Sequence, residues 1–376
     1  MAIVGATLMV VSGAIGFEGA VAAVDFHTLV LLFSMMIIVG HLRLAGGLSA
    51  AGQWAARAVA HPAALLVLLV AASGVLSALF VNDTICLVFT PLVLNVVGER
   101  RLRPLPFLLA LATASNIGSA ATITGNPQNI LIGSVSGIGF ARFFAALAPV
   151  ALAGLAIDAL LLCAIFRRDL RNNGGIAPVK TGTPVHAALL WKTLVVMALV
   201  VVGFLAGYDT AIVAAAGAAA LLVTRRVRPR KVYAAIDWDL LMLFAGLFVV
   251  VGAGEQAGLD RRVLEWLAPL GVATISGLSA MTAVISNAIS NVPAVMLFKS
   301  VVPHLPDPRT SWLAVAMSST LAGNLTVSGS IANLIVIESA RRRGFTIGFF
   351  EYLRVGVPLT VLTLAFGVWW LSLRLY

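Results

Sequence analysis

The sequence predicts an all-α membrane protein built as an inverted-topology repeat, with about nine spanning helices, two re-entrant hairpins and two broken helices. Three observations predict it. The 376 residues are 60% hydrophobic and only 11% charged, with a mean hydropathy of +1.03, whereas a soluble domain carries about 25% charged residues. Polar interruptions recur in matching places of two hydrophobic halves. Asn82-Asp83-Thr84, ahead of Pro91, is matched by Ser290-Asn291-Val292, ahead of Pro293. Each is followed by a glycine-bearing break, Ser115-Asn116 to Thr124-Gly125-Asn126-Pro127 and Gly323-Asn324 to Ser328-Gly329-Ser330. Finally, an odd number of crossings separates the two copies, so the second is upside down relative to the first.

Spanning helices need roughly 20 apolar residues. The run 2–21 meets this. Its Ala20-Val21-Ala22 resembles a signal-peptidase site, but no basic segment precedes it and Glu18 interrupts it. Ala2-Ile3-Val4 to Asp25-Phe26 also has an internal likeness in Ala211-Ile212-Val213 to Asp237-Trp238, so the run is read as part of the fold. Further spans are predicted at 26–42, 142–166, 187–207, 209–224, 238–254 and 346–373, the run 209–224 being short. Residues 105–135 and 311–340 are long enough to span but are interrupted by Asn, Gly, Ser and Thr. Each is predicted as two half-helices around an unwound segment, with the second break about four residues shorter than the first.

The stretches 62–97 and 272–302 each place two helical arms around a polar tip. After Asn291 the second arm ends near Pro303, which leaves about 11 residues or roughly 16 Å of helix. That is short of a hydrocarbon core of about 30 Å, so both stretches are predicted as re-entrant hairpins. The segments 44–58 and 259–268, mixing charge with Leu and Trp, are predicted as interfacial helices. The first repeat is thus 1–168, a cytoplasmic linker covers 169–186, and the second repeat is 187–376. The span 187–207 has no counterpart ahead of the first copy.

Basic clusters set the orientation. With Arg225, Arg226, Arg228, Arg230 and Lys231 in the cytoplasm, Arg43, Arg57, Arg100, Arg101, Arg103, Arg167, Arg168, Arg171, Lys180 and Arg341 to Arg343 also fall inside. The amino terminus is then cytoplasmic and the carboxy terminus extracytoplasmic. The same clustering between apolar runs accounts for the net charge of +10 without nucleic acid. The two cysteines, Cys86 and Cys163, lie in apolar stretches and make neither a disulfide framework nor a zinc site.

Matching polar breaks in two hydrophobic halves point to the midplane site of a secondary transporter. Asn, Asp and Ser at the tips are also good N-caps, but capping alone does not explain a helix terminus placed in hydrocarbon. Free N–H groups at such an end favour an anion, while side-chain and unwound carbonyl oxygens suit a small cation. Candidate substrate-binding residues are Asn82, Asp83, Thr84, Asn126, Asn129, Ser290, Asn291, Ser328 and Asn333. Candidates for holding a coupling H+ or Na+ are Asp83, Asn82, Thr124, Gly125, Ser290, Thr326 and Gly329. The first break is expected to face the first tip and the second break the second. Intramembrane acids are functional candidates by default. Asp83 is the sharpest and is matched by Val292 in the second copy; Asp158 is a candidate proton relay.

At these residues the chain resembles the ion transporter superfamily, and within it the arsenite permease-like branch that includes uncharacterised anion permeases. Phe80-Val81-Asn82-Asp83-Thr84 through Thr90-Pro91 is similar to that branch's first hairpin, Ile123 to Ile132 to its first broken helix, and Ser286-Asn287 through Pro293 to its second hairpin. The resemblance implies a scaffold domain and a mobile transport domain in a homodimer of the cell inner membrane, working as an elevator. Related divalent-anion/sodium symporters carry Ser-Asn-Thr at both tips. This chain departs from that pattern, which shifts the expectation from a dicarboxylate toward a small inorganic anion or a metalloid oxyacid such as arsenite, coupled to H+ or Na+. Sodium/proton antiport and sodium-coupled di- or tricarboxylate transport stay open. No cofactor and no enzyme chemistry is expected, since no zinc-binding His-Glu motif, Ser/Lys dyad or paired aspartates occur at helical spacing.

Overall fold

The computed structural model describes residues 1–50, 59, 61–171, 185–223, 229–259, 265–266 and 270–373. Among them the chain is nearly all helical, without a strand. Most of the linker 169–186 and the segments 44–58 and 259–268 lie outside the described residues, as do Arg57, Lys180, Arg225, Arg226 and Arg228.

The chain opens with α1 (Ala2–Val11), α2 (Phe17–Ala23) and α3 (Phe26–Leu44). The predicted span 2–21 is therefore two helices, not one. The chain turns between them at Gly13, whose φ of +75° is open to glycine without strain. Both helices pack on α12 (Trp238–Gln256), and α1 approaches so closely that a Cβ on Gly246 would lie 2.6 Å from the Ala2 backbone.

The same order recurs later as α10 (Thr210–Val223), α11 (Pro229–Tyr233) and α12. Asp25 and Asp237 cap the two 19-residue helices identically, each accepting the N–H three residues on, from Thr28 and Leu240. Helix α9 (Ala187–Leu205) lies between the copies.

The first hairpin is α4 (Pro62–Leu79) and α5 (Asn82–Glu99), and the second is α13 (Ile275–Ile289) and α14 (Asn291–Lys299). The 18-residue arms of the first rise about 27 Å, and the nine residues of α14 about half of that. The first broken helix is α6 (Leu105–Ser119) and α7 (Pro127–Ser136), the second α15 (Pro308–Leu321) and α16 (Ile331–Arg341). Helix α15 starts three residues earlier than hydropathy suggests because Asp307 accepts the Thr310 N–H and Pro308 suits the first helical position. Two long helices, α8 (Phe140–Ile165) and α17 (Phe349–Ser372), pack against each other and against α6 and α15.

Six described helices are long and apolar enough to cross a membrane alone: α3, α4, α8, α9, α12 and α17. The other predicted crossings fall on shorter apolar helices and on the half-helix pairs. Large apolar side chains such as Leu152, Leu160, Leu199, Val202 and Ile212 face outward, as befits a protein whose solvent is lipid. The interior is closed by polar groups where the broken helices cross.

Candidate functional site

Both breaks have one geometry. Thr122 and Thr326 are extended, with φ of −133° and −129°. A single 3₁₀ turn follows in each, at Ile123–Gly125 and Val327–Gly329, and Asn126 and Ser330 are extended again. At one constant offset Thr122 pairs with Thr326, Gly125 with Gly329, Asn126 with Ser330 and Asn129 with Asn333. The second break is thus as long as the first. The apparent shortening came from matching Asn116 with Asn324, whereas the positional partner of Asn116 is Thr320.

The second half-helices are stapled alike. The Asn129 amide donates to the carbonyls of Ser119 and Thr122, ten and seven residues back, at 3.2 and 3.0 Å. Asn333 donates to those of Gly323 and Thr326, also ten and seven residues back, at 2.7 and 3.1 Å. Carbonyls freed by the unwinding are thereby satisfied inside hydrocarbon, where an unpaired one is costly. At the head of α7 Asn126 accepts the Asn129 N–H at 2.9 Å, and at the head of α16 Ser330 accepts the Ala332 N–H at 3.2 Å.

The hub of the site is Asn116, on α6. Its carbonyl oxygen accepts from the Asn82 amide and the Ser330 hydroxyl, both at 2.9 Å. Its amide donates to Asn324 at 2.9 Å and to Asn333 at 3.1 Å. The first tip is so joined to the second break through a side chain of the first broken helix. Around Thr320 the relation is reciprocal: its hydroxyl accepts from Asn126 at 3.1 Å and Gln128 at 3.3 Å, and lies 3.5 Å from the Asn129 oxygen. The second arms bridge the two broken helices as well, α5 packing on α6 and α16 and α14 on α15 and α7.

The expected pairing of each tip with its own break is therefore only half of the arrangement. The first arms do meet their own breaks, Thr122 donating to the Ala78 carbonyl and Thr326 to the Asn287 side chain at 3.0 Å.

The tips are not capped by their own side chains. At the first, the N-cap residue is Val81, which has no polar side chain, and Asn82 already stands in the helix. Asn82 is 5% exposed, and its Oδ1 has no hydrogen-bond partner. Asp83 and Thr84 face a cavity of about 130 Å³ whose far wall includes Arg43, at the end of α3, and Asp237, at the start of α12.

At the second tip the N-cap is Ser290, with φ +89° and ψ 156° and no capping bond. Asn291 bonds to Ser286, and its amide reaches the carbonyls of Ser319 and Gly329 at 3.2 and 3.3 Å once nitrogen and oxygen are assigned by their partners. Asn287 donates to the Ala322 carbonyl at 2.8 Å. Ser290 and Ser328 are exposed, while Thr122, Thr124, Asn126 and Asn129 are buried.

Asp158 is fully buried on α8, and both of its oxygens lie near the Thr113 hydroxyl, at 3.0 and 2.9 Å. The Thr113 carbonyl accepts from Asn324 at 3.3 Å, so two residues, Thr113 and Asn324, link Asp158 to Asn116. Gly356 of α17 permits this packing, since a Cβ there would lie 2.4 Å from the Asn324 carbonyl.

Sequence reasoning did not single out Asn116, Thr113, Asn287, Thr320 or Asn324 as site residues. The signal was present in Asn116 and Asn287, amides inside apolar helices. Arg43 counted only as a topology marker and Asp237 only as a repeat match, since neither lies in a polar break. Among the described residues no cluster of His, Cys, Asp and Glu is arranged to hold a metal ion.

The family model described as citrate transporter, CitMHS, matches residues 1–307. The chain is 31% identical to the silicon efflux transporter LSI3 of Oryza sativa over 98% of its length and 90% of that protein. It is 34% identical to the uncharacterised transporter Mb2703 of Mycobacterium bovis, over 94% of this chain and 87% of that one. It is 26% identical to a Dictyostelium discoideum transporter named arsB, over 97% and 85%. Among solved structures it resembles the YdaH transporter of Alcanivorax borkumensis, with a TM-score of 0.65 at 19% identity over 92% of this chain and 84% of that one.

Proposed function

Because the chain belongs to the citrate transporter (CitMHS) family of membrane transporters, we propose that it is a secondary active transporter of a small inorganic anion or metalloid oxyacid, arsenite-like, coupled to H+ or Na+. One observation carries the choice of substrate. From Asn82 through Asn116 to Ser330, Asn324 and Asn333 the site is built of neutral amides and hydroxyls, and its one charged tip residue is the acid Asp83. A tricarboxylate calls for charge-assisted partners, above all arginine. Arsenous or silicic acid, carrying both O–H donors and oxygen acceptors, suits amides that offer one of each. The name of the rice relative supports the same substrate class.

In this reading Asn82, Asp83 and Thr84 at one tip and Ser290, Asn291 and Ser328 at the other contact substrate. Asn126, Asn129 and Asn333 shape the breaks that face it. The unpaired oxygen of Asn82 suits a small cation or a substrate hydroxyl, and Asp83, Thr124 and Gly125 are the further candidates for holding the coupling ion in the first copy. Ser290, Thr326 and Gly329 are the corresponding group in the second copy.

Asp158 is a second carrier for the coupling proton. Thr113 has one hydroxyl proton but three acceptors in reach, Leu109 O at 2.8 Å and the two Asp158 oxygens. Both residues are satisfied together when Thr113 donates to Leu109 and a protonated Asp158 donates to Thr113.

The hairpins and broken helices, tied by these bonds, form the body that moves, and α3 and α12 belong to the frame. The cavity between Asp83 and the Arg43/Asp237 wall lies where the two would slide. An elevator movement in a homodimer of the cell inner membrane, with a cytoplasmic amino terminus, completes the proposal. Flux into proteoliposomes tests it, with arsenite, silicic acid and citrate compared under imposed pH or sodium gradients. Sodium-driven citrate uptake without oxyacid flux would overturn the substrate assignment. Asp83→Asn is expected to abolish gradient-driven flux while the protein stays folded; wild-type driven flux in that variant would remove Asp83 from the mechanism.

A further inference from the structure

Where the start of α6, the end of α8 and the start of α17 converge, a cavity of about 560 Å³ is lined by Arg103, Arg167, Arg168 and Arg354, against the carboxylates Asp169 and Glu351. Both carboxylates are engaged by one arginine, Arg103, at 3.4 and 3.7 Å. Arg167, Arg168 and Arg354 form no ion pair among the described residues, and they are exposed. Three unpaired guanidinium groups from two helix ends line one cavity, and their combined positive potential favours an anion there. Guanidinium forks match the oxygens of a phosphate.

The remaining lining, Leu105, Ala164, Ile165 and Phe166, is apolar. The cavity therefore sits at a helix-end level and combines charged with apolar lining, as a lipid head group and its chains require. None of the tip or break residues reaches it, and the cavity at Asp83 is a separate one.

We propose that this cavity binds a phosphate-bearing anion, in the form of an anionic phospholipid head group. Basic pockets at the ends of membrane helices recognise such head groups. Bound there, the lipid would clamp the start of the first broken helix to the two long helices that support it. The site does not depend on which substrate is carried.

The test is thermal unfolding of the purified full chain in detergent, titrated separately with phosphatidylglycerol, phosphatidylcholine and inorganic phosphate. Wild type is compared with the Arg167→Gln/Arg168→Gln/Arg354→Gln variant and with a variant that loses equal charge at Arg230, Lys231 and Arg342. A ligand of the native state raises the melting temperature in proportion to the logarithm of its concentration. The expected result is such a rise with phosphatidylglycerol, absent with phosphatidylcholine, lost in the cavity variant and kept in the charge control. The same arginine-dependent rise with inorganic phosphate alone would retain the site and assign it a soluble phosphate. No rise with either anion, or an equal rise in the cavity variant, overturns the proposal. Native mass spectrometry provides a second reading, since the cavity variant should retain fewer phosphatidylglycerol molecules at an unchanged fold.

Discussion

Asn116 makes four hydrogen bonds in the membrane interior, to Asn82, Asn324, Ser330 and Asn333. Bonds between membrane helices are worth about 0.6 kcal/mol each on average, so Asn116→Leu should cost roughly 2 kcal/mol and loosen both tips. Unfolding in mixed micelles measures it, and a cost under ~0.5 kcal/mol would mean that the partners re-pair. Ser290 is strained in another way. Its φ of +89° with ψ of 156° lies in a region essentially confined to glycine, at a cost of about 1–3 kcal/mol. Ser290→Gly should therefore raise the melting temperature, whereas Ser290→Ala should not, and equal shifts in both would place the effect in the hydroxyl. Asn82, Asp83, Ser290 and Asn291 were legible in the sequence because a polar residue in an apolar run stands out. That Asn82 spends its amide on Asn116 was not, because the two belong to different helices.

The broken helices show what an element contributes beyond its residues. Proline at the start of α7, 3₁₀ turns and extended threonines unwind the chain at equivalent places, and Asn129 and Asn333 close the gap by reaching ten residues back. Composition located the breaks; only the staples revealed their true register and equal length. Close crossings hold them in place. Gly118 on α6 lies against Gly74 on α4, where a Cβ would come within 2.0 Å of the Gly74 carbonyl oxygen. Gly118→Ala has no flexible side chain to displace, so it should cost about 1–3 kcal/mol and separate the first hairpin from its break. Loss of expression or a lowered melting temperature checks this, and a neutral outcome would mean that α4 shifts freely. The split of residues 2–21 into α1 and α2 belongs to this scale too. Hydropathy is blind to a turn at Gly13, because Ser12 and Gly13 are too few to break the apolar average of the run around them.

At the scale of the molecule, the first tip meets α3 and the start of α12 at the cavity between Thr84 and Arg43, where the proposed moving body would slide on its frame. If Arg43 faces the cytoplasm, Thr84→Cys in a background with Cys86 and Cys163 replaced by Ser should react with an impermeant thiol reagent from the cytoplasmic side. Exclusive labelling from the other side would reverse the proposed orientation. The sequence by itself determined that the protein is a helical membrane transporter with polar breaks inside its apolar helices, because hydrophobic length and intramembrane polarity are local properties of a chain. Only the tertiary structure decided that each second arm bridges the two broken helices, that Asn116 and Thr320 are the crossing points, and that Arg43 and Asp237 face the first tip. Those are pairings between distant segments. In hydrocarbon every polar group must find a partner within the protein, and which partner it finds depends on the packing of the helices rather than on its neighbours in the chain.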